Sequence, residues 1–170
     1  LIPTVLAPAP WPVESYLVGY MGKHGLACRA RSGAKLWRAT VPAPDEFIYS
    51  GANPFPRPLV TAMRYSANGA FVAVGLGTGQ TVVLRADTGK TAHTVGESGT
   101  AAVQAVALSP TGDRLAVCAG GALRLYALDG TAELLAEVRG GRTHYLSAAW
   151  HPAGAFFATT NGSGAVEYWD

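Results

Sequence analysis

The chain has 170 residues, 49% of them hydrophobic and 14% charged, with a formal net charge of +2. This balance excludes a disordered polymer, and so small a charge gives no reason by itself to invoke nucleic acid or an anionic membrane. No apolar run approaches the ~18 residues of a membrane-spanning helix.

In chain order, the opening LIPTVLAPAPWP has no basic start and too many prolines for a secretion leader. The first residue is Leu1 rather than methionine, so a processed or partial piece of a longer polypeptide is expected. Residues 1–41 read as strand, proline-rich turn, strand, glycine turn, strand, closing at Ser32-Gly33. Residues 42–58, PAPDEFIYSGANPFPRP, break the rhythm as an inserted loop. In residues 59–98, Phe71, Ala73 and Leu76 and then Thr81 and Val83 form short apolar runs separated by a glycine turn. In residues 99–140, Leu123, Leu125 and Leu128 behave similarly around Arg124. The run AELLAEV, Ala132 to Val138, is compatible with a helix but falls where a fourth strand belongs, so a strand is predicted there. Residues 141–170 hold three strands and no fourth.

These pieces are copies of one unit. MRYSANGAFVAVGLGTGQTVVLRADTG, VALSPTGDRLAVCAGGALRLYALDG and AAWHPAGAFFATTNGSGAVEYWD align without forcing. Their first-turn glycines, Gly69, Gly112 and Gly154, are 43 and 42 residues apart. Their closing aspartates, Asp87, Asp129 and Asp170, are 42 and 41 apart. Residues 1–41 are a weaker copy, with Ser32 at the place of Asp87 and a step of 55 that contains the insertion.

The glycine-rich Gly75–Gly79 invites a phosphate-loop reading, but no Gly-Lys-Ser/Thr follows and Gln80 stands where a dinucleotide fingerprint needs glycine. Ala119-Gly-Gly121 and Asn161-Gly-Ser-Gly164 occupy the same place in later copies, so a tight hairpin turn is predicted.

Tyr168-Trp169-Asp170, with its echoes at Leu125–Asp129 and Leu84–Asp87, resembles the WD40 repeat. So do the turns Ser66–Gly69, Ser109–Gly112 and His151–Gly154, which are similar to the SPDG-type turn of that family. The resemblance implies an all-β fold, a β-propeller of four-stranded antiparallel blades around a channel, with about four blades here. Two family features are missing. There is no Gly-His pair before the first strand of any copy, and the second-turn aspartate is replaced by Gly77-Thr78, Ala119-Gly120 and Asn161-Gly162. The buried Asp–His–Ser/Thr–Trp network of typical members is therefore not expected, and apolar packing should hold the blades. Because members usually close with about seven blades, a fragment of a longer propeller, or a half completed by a partner, is expected.

No reaction class emerges. His24, His93, His144 and His151 match no metal spacing, no serine sits in GxSxG, and Asp45-Glu46 is a lone acidic pair. No catalytic residue, metal or cofactor is expected. Cys28 and Cys118 lie in apolar runs and read as reduced thiols, which suits a cytoplasmic protein, with a nuclear, cytoskeletal or ciliary place as alternatives. The sequence thus predicts a non-enzymatic scaffold for protein or peptide partners in a multi-subunit assembly. The insertion supplies Phe47, Tyr49 and Phe55 as candidate contacts, since long loops in compact domains are commonly functional. By the resemblance, loops that join blades share one face with the second turns, which adds Arg139, Arg142, His144 and Tyr145 as weaker candidates. The basic hairpin with Arg29, Arg31, Lys35 and Arg38 around Trp37 makes an RNA-associated subunit the main alternative. A cytoskeletal or ciliary structural role is the other.

Overall fold

The computed structural model describes residues 3–8, 15–20, 26–41, 60–139 and 144–170, the first two stretches by backbone alone. All regular structure among them is β. Sheet 1 contains β1 (Pro3–Pro8), β2 (Ser15–Tyr20), β3 (Leu26–Ala30) and β4 (Lys35–Ala39). Sheet 2 contains β5 (Val60–Tyr65), β6 (Phe71–Leu76), β7 (Thr81–Arg85) and β8 (Thr91–Val95). Sheet 3 contains β9 (Val103–Leu108), β10 (Arg114–Ala119), β11 (Ala122–Ala127) and β12 (Glu133–Arg139). Sheet 4 contains β13 (Tyr145–Trp150), β14 (Phe157–Asn161) and β15 (Val166–Trp169). Each sheet is an antiparallel meander in chain order, as expected of strands joined by short turns. AELLAEV lies largely in β12, the predicted fourth strand.

Register shows that the copies are equivalent in detail. The first strand of every sheet has a bulge at the same place, with one residue left out of the pairing: Thr4, Thr61, Gln104 and Leu146. Sheets 1 to 3 share a second bulge in the fourth strand, at Leu36, Ala92 and Leu135. A bulge forces its extra residue out of the ladder, and Leu36 and Leu135 are correspondingly among the exposed large apolar side chains. The degenerate first copy is therefore a true copy.

The same register corrects one sequence landmark. Pairing to Val72, Leu115 and Phe157 makes Leu84, Tyr126 and Trp169 equivalent. Asp170 then corresponds to Arg85 and Ala127, not to Asp87 and Asp129. The closing aspartates are alike in letter but not in place.

The second turns are hairpins, as predicted. Gly79 and Gly164 have φ of 95° and 84° and close turns in which Leu76 and Asn161 bond the fourth residue on. Sheet 3 uses a two-residue turn, Gly120-Gly121, with φ of 58° and 76°. Only glycine takes such angles without strain.

The first strands lie side by side in the order β1, β5, β9, β13. Three apolar layers separate the four sheets. Leu26, Cys28, Val72, Val74, Val82 and Leu84 fill the first. Ala73, Val83, Val106, Leu115, Val117 and Tyr126 fill the second. Ala116, Cys118, Leu123, Tyr145 and Phe157 fill the third, with Trp150 and Trp169 against them. A strand in a middle sheet is buried on both faces, which explains why β6 and β7 are near-continuous apolar runs.

One polar expectation needs correcting. Trp169 Nε1 donates to Thr159 Oγ1 at 2.9 Å, so a Trp–Thr link of the network forms in sheet 4. Asn161 takes over the ordering of its turn. Its Oδ1 accepts from the Ser163 and Ala165 N–H groups, and its Nδ2 donates to Glu167.

Candidate functional site

Two sets of loops meet at one end of the sheets. The segment between β8 and β9 reaches back to the second turn of sheet 2, where Thr100 N donates to Thr78 O at 3.2 Å. Thr100 Oγ1 also donates to Glu97 O at 2.9 Å, which folds that segment on itself. Gly79 is required beneath it, because a Cβ there would overlap Thr100 Oγ1 and approach Ala101 O to 3.0 Å. Ala101 in turn touches the second turn of sheet 3, 3.1 Å from where a Cβ on Gly120 would sit.

The pattern continues at sheet 4. His144 precedes β13, its Nδ1 lying 3.0 Å from a Cβ built on Gly121, and its carbonyl accepts from Gly162 N at 3.0 Å. A strip thus runs from Thr78 through Thr100, Gly120 and His144 to Gly162. Small residues let the backbones approach, and backbone hydrogen bonds fix them. A recess of about 180 Å³ opens on it between Thr100, Ala101, Ala119, Gly120 and Arg124.

Charge on this strip is organised around Glu137. Arg124 Nε donates to its Oε2 at 2.9 Å, and Arg139 NH2 lies 2.8 Å from its Oε1. The Arg124 hydrogen bond, with both guanidinium charges, holds the Glu137 carboxyl below its ordinary range. Arg139 keeps 73% of its side chain exposed. One carboxylate between two guanidiniums leaves a net positive group beside the recess.

The sequence candidates divide accordingly. Arg139 ends β12 at the strip and His144 lies in it, both exposed. Tyr145 does not face solvent. It is 4% exposed, packs edge-on to Trp169 with centroids 6.1 Å apart, and burial raises its phenol pKa. First-strand alternation turns this ring into the layer between sheets 3 and 4, a packing role the loop reading missed. Phe47, Tyr49, Phe55 and Arg142 lie outside the described residues. Glu137, Arg124 and Thr100 carry no signal of their own in the sequence. Cross-strand pairing of Arg124 with Glu137, visible only once the register is known, brings the first two together.

The basic hairpin sits elsewhere, on the outer strands of sheet 1. Arg29 NH1 donates to Gly33 O at 2.8 Å, and Arg31, Lys35 and Arg38 are exposed. Trp37 turns away from them, and its Nε1 donates to Ala86 O of sheet 2 at 2.9 Å. Among the described residues, no three His, Cys, Asp or Glu side chains converge as a metal site would require, and no helix is long and apolar enough to cross a membrane.

Comparison with solved structures finds 1288 matching chains. One is the β-propeller domain of Cps50 (Swd1) from Myceliophteria thermophila, with a TM-score of 0.74 over 96% of this chain at 16% identity. This is a β-propeller fold. The WD40-like repeat read from the sequence and the four-sheet architecture agree with it. The chain spans 52% of that propeller chain, about half its length. No family model and no curated protein matches the sequence.

Proposed function

We propose that this propeller chain is a non-enzymatic scaffold that presents its loop strip to protein or peptide partners within a multi-subunit, cytoplasmic assembly. The observation that carries the reading is the locking of the segments that join sheets onto the second turns, by backbone hydrogen bonds at Thr100–Thr78 and Gly162–His144 and by packing of Ala101 and His144 against Gly120 and Gly121 of sheet 3. A surface ordered before binding loses less conformational entropy on binding, so more of the contact energy becomes affinity. Arg139 and His144 supply exposed polar anchors on that surface, beside a recess large enough for a side chain of a partner. Arginine at a patch centre is a common source of binding energy. Phe47, Tyr49 and Phe55 belong to the same proposal as aromatic anchors in the inserted loop.

The test is affinity purification with Arg139→Glu combined with His144→Ala, and separately with Phe47→Ala combined with Phe55→Ala. Both pairs should lose the co-purifying subunits while the melting midpoint stays put. Leu36→Glu, on the outer edge of sheet 1, should keep them. Retention in both paired variants with loss in Leu36→Glu would move the interaction to the outer edge and refute the loop reading.

A further inference from the structure

A second recess, of about 160 Å³, opens on the first strands rather than on the loop strip. Thr61 to Arg64 of β5, Gln104 to Val106 of β9 and Leu146 to Ala148 of β13 line it. Each of these strands is an edge of its own sheet and lies beside the next. Gln104 and Leu146 are three and two residues beyond Ala101 and His144 of the strip, so the recess adjoins the strip.

The fold uses only one of the recess's polar side chains in full, as Thr61 Oγ1 donates to Gly75 O at 3.1 Å. Arg64 is exposed, and its NH1 donates to Met63 O at 3.0 Å, which holds the guanidinium along β5 and leaves its other N–H donors open. Gln104 and Ser147 are exposed too, and their side chains make no hydrogen bond among the described residues. The repeat supplies the control. By register, Arg64 stands where Ala107 and Ala149 stand, Gln104 where Thr61 and Leu146 stand, and Ser147 where Ala62 and Ala105 stand. The other copies fold with different side chains at each place, alanine in all but the bulge position. No structural task therefore explains three polar groups brought to one recess. No Asp or Glu lines it, and Arg64 makes no ion pair among the described residues.

We propose that this recess binds one carboxylate, the acidic side chain of a peptide laid across the loop strip. The guanidinium fork of Arg64 matches a carboxylate in plane and in charge. The Gln104 amide and the Ser147 hydroxyl are placed to donate to the lone pairs that the fork leaves. A single guanidinium balances one carboxylate, whereas a phosphate ester with nearly two charges calls for a cluster of arginines. A strand rises about 3.3 Å per residue, so the recess begins within about 10 Å of the strip, a span that one extended peptide covers. The proposal rests on the reading of the strip as a partner surface for the source of the acid; the chemistry of the recess is its own.

The probe is acetyl-Gly-Glu-Gly-amide, titrated into the isotope-labelled full chain and followed by NMR at the Gln104 side-chain amide and the backbone amides of Ala105 and Ser147. These signals should move and saturate, and acetyl-Gly-Gln-Gly-amide should leave them in place. Arg64→Ala, which installs the residue of the equivalent copies, should keep the melting midpoint and weaken binding about tenfold or more. Arg64→Glu should lose this probe and bind acetyl-Gly-Lys-Gly-amide instead. An equal response to the Glu and Gln probes, or an unchanged affinity in Arg64→Ala, would overturn the proposal. So would tighter, Arg64-dependent binding of the phosphoserine tripeptide, because the site would then be built for phosphate. Co-purification separates this proposal from the strip reading, since Arg64→Ala should lose the same subunits as Arg139→Glu combined with His144→Ala. Loss in that pair with retention in Arg64→Ala would overturn the recess and leave the strip standing. Retention in the pair with a saturating, Arg64-dependent response to the Glu probe would refute the strip reading and keep the carboxylate site.

Discussion

Two threonines buried to the same degree should respond oppositely to the same substitution. Thr81 is fully buried at the start of β7, and its Oγ1 has no hydrogen-bond partner. The equivalent positions in sheets 3 and 4 hold Leu123 and Val166, so the fold accepts an apolar side chain there. Thr159 is just as buried, but its hydroxyl accepts the Trp169 N–H at 2.9 Å. Valine keeps the branched shape and strand preference of threonine while replacing the hydroxyl by a methyl group. An unsatisfied buried polar group costs about 1–3 kcal/mol, so Thr81→Val should stabilise by about 1–2 kcal/mol. Thr159→Val strands the indole N–H and should destabilise by about 1–2 kcal/mol. Urea unfolding followed by tryptophan fluorescence measures both, and the variants should differ from each other by about 2–4 kcal/mol. A loss above about 1 kcal/mol for Thr81→Val would mean that its hydroxyl is satisfied. A gain for Thr159→Val would remove the link to Trp169 from the account of sheet 4.

Three further outcomes follow from the geometry. Gly79→Ala and Gly164→Ala both place alanine at positive φ, which costs about 1–2 kcal/mol, but only the first also meets Thr100 and two carbonyls. Gly79→Ala should therefore lose clearly more stability in urea and speed amide exchange at Thr100; equal losses would contradict the packing of the strip. The Asp113 carboxyl is held below its ordinary value of 3.8, first by the Ser109 hydroxyl and then by that of Thr111. Its folded pKa lies below its unfolded one, so its contribution is complete above the unfolded value and is lost as pH falls through the folded one. Asp113→Asn should flatten the acid limb of the stability curve, and an unchanged limb would show that the turn does not depend on the charge. Burial pushes the Cys118 thiol up to about 12, so alkylation at pH 8 should wait for unfolding; rapid labelling in the native state would place it nearer the surface.

Much of this fold is legible in the letters because the repeat writes each element several times. Glycines at the second turns and the Ser-Pro or His-Pro first turns mark hairpins by local backbone need, which sequence displays directly. What is not legible depends on register. Asp170 matches Asp87 by letter, yet it follows Trp169 directly whereas Asp87 lies three residues after the equivalent Leu84, so equal letters fall on unequal sites. Tyr145 sits beside a loop in sequence, but pairing with Asn161 sets the face of β13 and turns its ring inward. Thr159 is an ordinary strand threonine until Trp169 is placed over it. Arg124 and Glu137 are thirteen residues apart and become an ion pair only through a strand pairing that follows the bulge at Leu135. The family resemblance implies a shared face of two loop classes, whereas the joins along the strip come from the Thr100–Thr78 and Gly162–His144 backbone bonds and from close approach at Gly120 and Gly121, which no composition records.

The missing His and Asp of the network raise a question of specificity rather than of strength. Apolar layers supply attraction between sheets, but that attraction is non-directional and tolerates sliding. Each boundary carries polar ties that do not. Trp37 Nε1 bonds Ala86 O across sheets 1 and 2. Asn68 bonds Pro110 O and Thr111 O across sheets 2 and 3. Trp150 Nε1 bonds Ala107 O at 3.1 Å across sheets 3 and 4. Tryptophan suits this task because one side chain contributes both apolar area and a single directed donor. If the ties fix sheet position, Trp150→Phe should retain the aromatic contact with Phe157 and lose only about 1 kcal/mol of stability. Native-state amide exchange should nevertheless accelerate at the facing strands β9 and β13, well beyond what the global loss accounts for. If exchange rises only in proportion to global stability, the tie adds energy without directing the sheets, and apolar shape alone sets the blade angle.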